Sequence, residues 1–215
     1  MRVLSQSVAA GAVWGGGGVV CLDGADKAPS HWCSTQAMLH LGMSILVSFS
    51  GLPGVGKTTL AKALAARVKA IHLRVDSVEA AMKNSVLRIH SAEDAGYLAL
   101  ANIANDNLLL GFDVIVDTVN PIEITRKLRS ETAAAGGAHL LNVEVICSDQ
   151  TLHRDRVEGR ESDIKGLVVP DWQQVCSRTF EAWQQDRVTV DTSAESIERC
   201  VARIADGMEN LHSTA

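Results

Sequence analysis

The sequence predicts an α/β fold: a parallel sheet of about five strands, helices on both faces, and a small lid. Three observations carry this. From Met43 onward, short apolar runs alternate with helical patterns, the order that builds parallel sheets. The first run and the first helix are separated by a glycine-rich break. Two later runs end in an aspartate, at the edge where such sheets bind ligands.

Taken in order, Ile45, Leu46, Val47 and Phe49 make a run of the kind a strand buried on both faces shows. Leu60, Ala61, Leu64, Ala65 and Val68 then recur at helical spacing. "IHLRVDS" (71–77) reads as a short strand ending in Asp76, ahead of a helix from Ser77. Residues 91–111 read as a helix with Ser91 as N-cap, Asp94 at the capping-box position and Gly111 past its end. "DVIVDTVNP" (113–121) is a buried strand ending in Asp117. A helix closed by Gly136 and Gly137 follows, then strands over 140–148 and 187–192 and a terminal helix over 193–212.

Between the first strand and helix, Gly51, Leu52, Pro53, Gly54, Val55, Gly56, Lys57, Thr58 and Thr59 spell G-x-x-x-x-G-K-[ST]. This is a P-loop in its required strand–loop–helix context. Glycines let successive backbone N–H groups turn inward on phosphate oxygens, and the helix adds the positive end of its dipole. Lys57 is placed to reach the outer phosphates and Thr58 to ligate Mg²⁺. The expected ligand is a nucleoside triphosphate. No Asn-Lys-x-Asp tetrapeptide occurs, which favours ATP over GTP.

Asp76 falls in the same cleft, as the acceptor of a hydroxyl proton, as a water-mediated Mg²⁺ ligand, or as a helix N-cap. Asp117 ends a Walker B-type run and is expected to orient the Thr58–Mg²⁺ shell. Asn120 is a weak substrate candidate or a cap for the next helix. The stretch 153–172 carries Arg154, Arg156 and Arg160 between Gly159, Gly166 and Pro170. Arg156 and Arg160, four apart, are expected on one helix face of a lid closing over the triphosphate, the alternative being a solvated helix end with ion pairs to Asp155, Glu158 or Asp163. Arg178 is a weaker lid candidate on the following helix.

Bulk properties bound the rest. The 215 residues suit one domain with an appendage, and 47% hydrophobic and 21% charged residues suit a globular chain. A net charge of −5 disfavours nucleic acid as partner, and no apolar run is long enough for a bilayer span. Five scattered cysteines without C-x-x-C point to reduced thiols and a cytoplasmic setting. Residues 1–42, with four consecutive glycines and no sustained period, are expected to be a flexible extension outside the fold. Cys21, His31, Cys33 and His40 match no familiar zinc spacing.

From Ser44 to about Asp206 the chain resembles the small P-loop kinases of the adenylate-, gluconate-, shikimate- and adenylyl-sulfate-kinase type, and more narrowly the AAA_33-type ATP-binding proteins. The resemblance rests on "GLPGVGKTT", "RVDS" (74–77), "VIVDTVNP" (114–121), "HRDRVEGR" (153–160) and "VTVDTS" (188–193). It implies a P-loop NTPase fold, phosphate binding by residues 51–59, an acidic catalytic role for Asp76, a lid around Arg156 and Arg160, and ATP with Mg²⁺ as cofactors. Adenylyl-sulfate kinases usually carry D-x-D after the second strand. Here Asp76 stands alone, with Arg74 two residues before it as a weak substrate contact, which argues against adenylyl sulfate and likewise against shikimate. The leading expectation is transfer of phosphate to a small hydroxylated metabolite. An ATP-binding switch with slow hydrolysis and a zeta-toxin-like nucleotide-sugar kinase are the alternatives.

Overall fold

A computed structural model describes residues 43–213, except 87 and 90. The expected extension over residues 1–42, with its cysteines and histidines, lies outside the described residues.

Five parallel strands form one sheet in the order β2-β3-β1-β4-β5. They are β1 (Ile45–Ser50), β2 (Ile71–Arg74), β3 (Val114–Asp117), β4 (His139–Ile146) and β5 (Val188–Asp191). β1 is the centre, pairing Leu46 with Val114 of β3 on one side and Val47 with Leu141 of β4 on the other. Its six residues are all buried. This explains the near-continuous apolar run, because a central strand of a doubly covered sheet has no wet face.

The pleat sends alternate residues to two cores. Ile45, Val47 and Phe49 join Leu60 and Leu64 of α1 (Lys57–Val68) and Ile204 and Met208 of α7 (Ile197–Ser213). Leu46 joins Leu100, Ala104 and Leu108 of α3 (Ala95–Leu109) and Ala133 of α4 (Glu123–Ala135). The remaining helices are α2 (Val75–Asn84), α5 (Gln150–Glu158) and the one-turn α6 (Trp172–Cys176). Among the described residues, no helix is long and apolar enough to cross a membrane.

Several local expectations fail for identifiable reasons. Helix α2 begins at Val75, so Asp76 lies in its first turn and not at a strand end; the N-cap is Arg74. A negative charge in the first turn complements the helix dipole. Helix α3 begins at Ala95, and the Ser91 hydroxyl donates to Glu93 Oε1 instead of capping it. Helix α7 begins at Ile197, because Asp191 turns back on Ser193: its Oδ1 accepts from the Ser193 N–H and hydroxyl, closing a turn where the helix was expected.

Two buried arginines hold the α3/α4 side. Arg126 stacks over Trp183 at 4.0 Å and donates to the carbonyls of Pro121, Glu181 and Ala182. It thereby straps a segment with no regular structure onto α4. Arg129 is fully buried, 5.3 Å from the Tyr97 ring, and burial pulls its pKa down to about 10.

Candidate active site

The loop between β1 and α1 is pinned by the surrounding strands. The Gly51 N–H donates to Val119 O at 3.0 Å, beyond the end of β3. A Cβ on Gly51 would sit 2.3 Å from Val145 O of β4, and its φ of +141° admits only glycine comfortably. Gly54 and Gly56 also have positive φ, and Gly56 caps α1 in the left-handed region. Side chains from the far half of the chain hold the loop carbonyls. His153 Nε2 donates to Pro53 O at 2.8 Å, with its ring edge-on to Trp172, and the Thr192 hydroxyl lies 2.8 Å from Val55 O. What remains open are the first-turn amides of α1, which no helical geometry can satisfy.

Lys57 is buried and its Nζ donates to Leu52 O at 2.8 Å, across the loop it serves. Burial lowers its pKa to about 8, against the pull of Asp117 and Asp76, with Arg160 and Arg178 lowering it further. Asp117 stands next to it at the end of β3, also buried. Burial opposes its ionisation, but His72, Lys57 and the Thr58 hydroxyl outweigh that and hold the carboxyl below its ordinary value. Asp117 Oδ2 has no hydrogen-bond partner; His72 Nε2 stands 3.6 Å from it. An ionised, partly unpartnered carboxylate beside a threonine hydroxyl fits a hard divalent cation such as Mg²⁺.

Two cavities meet at this point. The larger, about 640 Å³, is bordered by the loop, Thr59, Arg74, Arg156, Arg160, Asp163 and Thr192. The smaller, about 290 Å³, is bordered by Pro53, Asp76, Glu79, Lys83, Tyr97 and Asp117, and by Leu167 to Pro170. Lys57, Thr58 and Arg160 border both. The coil between α5 and α6 thus roofs the junction, through Arg160 and Asp163 on one side and its apolar residues on the other.

The sequence candidates separate here. Gly54, Gly56, Lys57, Thr58, Asp76, Asp117 and Arg160 line the junction. Arg156 does too, but not as a mobile lid group. It lies on α5 and donates to the Thr192 hydroxyl at 2.8 Å and the Thr192 carbonyl at 3.2 Å, bracing the wall. Arg160 does not share its helix face, since α5 ends at Glu158. Residues 153–158 belong to that packed helix, which leaves the roofing coil to 160–170. Arg178 is not helical, because α6 ends at Cys176, yet it borders the smaller cavity. Asn120 is 0% exposed and donates through Nδ2 to Ser48 Oγ at 3.3 Å. It sits at φ 47°, lining neither cavity and not capping α4, whose N-cap is Ile122. Arg74 donates through Nη1 to Asp163 and through Nη2 to Asp76, while its buried Nε has no partner.

Sequence reasoning assigned no role to His153, Thr192, His72 or Glu79, and named Asp163 only as an ion-pair partner for Arg156 or Arg160, whereas it pairs with Arg74 and Lys62. Thr192 was findable as the residue closing the last strand. His153 shares a buried stripe with Val157 four residues on, a pattern that only implied packing. Nothing in the sequence pointed from Asp163 to Arg74 or Lys62.

The fold and this junction define a small P-loop kinase-like protein. The AAA_33 family, described as an AAA domain, matches residues 46–187, and the chain belongs to it. No curated protein matches the chain. Among solved structures, a Chloroflexus aurantiacus protein with a provisional kinase description is 18% identical, with a TM-score of 0.63 over 79% of this chain and 98% of that one. The Mycobacterium tuberculosis APS kinase CysC in complex with AMPPNP and APS is 18% identical, with a TM-score of 0.56 over 78% and 99%. A gluconokinase from Sinorhizobium meliloti is 19% identical, with a TM-score of 0.54 over 80% and 94%. At these identities the likeness establishes the fold.

Proposed function

We propose that the chain transfers the γ-phosphoryl group of ATP, with Mg²⁺, to a hydroxyl of a small metabolite. The observation that carries this is the pair of cavities meeting at Lys57 and Thr58, with Asp76 lining the smaller one and absent from the larger. A protein that only bound and hydrolysed a nucleotide would need one cavity. The triphosphate lies along the loop in the larger cavity, its oxygens on the α1 amides and Lys57. The acceptor sits in the smaller one. Its volume suits a small molecule better than a nucleotide sugar.

In the reaction, the acceptor oxygen attacks the γ-phosphorus, the bond to the β,γ-bridging oxygen breaks, and ADP leaves. Asp76 accepts the hydroxyl proton. Lys57 and Arg160 balance charge on the transferring group, and the roofing coil excludes water so that the acceptor competes. Thr58 and Asp117 would hold Mg²⁺, which supplies charge neutralisation on the outer phosphates.

The test is ATP turnover with and without a deproteinised extract of pooled metabolites. Stimulation by the extract supports transfer. Equal turnover in its absence supports the nucleotide switch.

A further inference from the structure

Arg74 lines the larger cavity, and each of its two terminal nitrogens already donates to a carboxylate. Nη1 donates to Asp163 Oδ1 at 2.7 Å and Nη2 to Asp76 Oδ2 at 3.1 Å. The two carboxylates come from different bodies. Asp76 belongs to the first turn of α2, and Asp163 to the coil that roofs both cavities. The fork stands on fixed ground: Arg74 ends β2 and pairs in register with Asp117. Its side chain is 6% exposed.

We propose that Arg74 is a positioning residue that couples closure of the 160–170 coil to placement of the Asp76 carboxylate. This rests on the reading of Asp76 as proton acceptor. A buried guanidinium that loses one carboxylate is left under-compensated, so release of Asp163 is resisted and leaves Asp76 as the sole counter-charge. The neighbouring Lys62–Asp163 pair cannot replace this tie, since both side chains are 54% exposed and such pairs are weak. The fork is the reason arginine serves here: it meets two acceptors on two nitrogens, whereas lysine offers one centre. Coupling through one group is reciprocal, so Asp76 must influence the coil as much as the coil influences Asp76.

The coil carries its own reporter, because trypsin can cut after Arg160 and Lys165. In the full chain, Arg74→Lys and Asp163→Asn should each raise the cleavage rate there. Asp76→Asn should lower it roughly two- to fivefold, because removing one of two mutually repelling carboxylates leaves Asp163 more tightly held. Extract-stimulated ATP turnover should fall at least about tenfold in Arg74→Lys and Asp163→Asn, with ADP affinity within about twofold, and the double variant should be no worse than the poorer single one. Unchanged cleavage in Asp76→Asn overturns the coupling, whether or not the parent shows any stimulation by extract. Additive losses, or faster cleavage in Arg74→Lys with normal turnover, reduce Arg74 to an anchor of the coil and also overturn it. A parent without stimulation, but with the three cleavage effects intact, rejects the kinase reading and retains the mechanical link.

Discussion

The two sides of the junction are built by different means. The phosphate loop is walled by strand-end backbone and tied by inward-facing side chains: Val119 O receives Gly51, Val145 O crowds it, and His153 and Thr192 hold the carbonyls of Pro53 and Val55. The 160–170 coil is held by side chains at its surface: Asp163 on Arg74 and Lys62, and Asn84 Nδ2 on Lys165 O. Val168, in the middle of the apolar roof, is 89% exposed. The first arrangement tolerates no adjustment, while the second opens at the expense of a few ion pairs. A site that must grip one ligand and admit another needs both.

The loop side breaks first under Gly51→Ala. The new methyl group must enter space held by Val145 O, at a φ unfavourable to alanine. The expected loss is about 3 kcal/mol or more of stability, read from the urea midpoint, together with loss of nucleotide binding. An unchanged midpoint would show that the loop is less constrained than its contacts imply.

Lys57→Ala separates charge from architecture on the same side. Turnover should fall by roughly 10²- to 10³-fold, while the urea midpoint holds or rises because a buried cation has been removed. ATP turnover at parental level would refute the assignment of the loop.

Asp76→Asn sharpens the division between the sides. Extract-dependent transfer should fall by roughly 10²-fold with nucleotide affinity nearly intact. If affinity and transfer fell together, Asp76 would belong to the Mg²⁺ shell.

A pH effect follows from the depressed Lys57 pKa of about 8. The unfolded chain keeps this lysine protonated up to its ordinary pKa near ~10.4, so between those values the unfolded state binds more protons and stability rises with pH. That rise, about 3 kcal/mol at most, should vanish in Lys57→Met when urea unfolding is compared at pH 7.5 and 10. Nucleotide affinity runs the other way and should weaken above pH 8, because phosphate binds the ammonium form. A flat affinity profile in the parent would remove Lys57 from the phosphate contacts.

The same contrast decides what could be read from the sequence. The glycine pattern demands special backbone angles at fixed spacing, and the strand runs demand burial on both faces; both are local requirements written in residue type. The five strands and the loop were therefore legible. Asp76 was legible as a cleft residue but not as helical, because a four-residue strand passing directly into a helix leaves no turn signal between them. Asn120 was misread because a polar residue beside a proline resembles a cap, while its partner Ser48 comes from β1. Asp163 and His153 owe their roles to partners brought together only by the crossovers, and no spacing rule encodes those.

The order of the sheet has a temporal consequence. β1 does not touch β2, the strand that follows it in sequence: its partners β3 and β4 arrive after two and three crossovers. The loop is anchored by carbonyls just beyond β3 and within β4. Such non-local pairing is slow to form, since the chain entropy of closure is spent before the contacts return it. The phosphate cradle is thus absent from early collapsed species and arises with the late pairings. ATP cannot template it and instead traps the finished sheet, so a fluorescent nucleotide added at the start of refolding should gain signal on the slowest phase and leave the earlier helical phase unaltered.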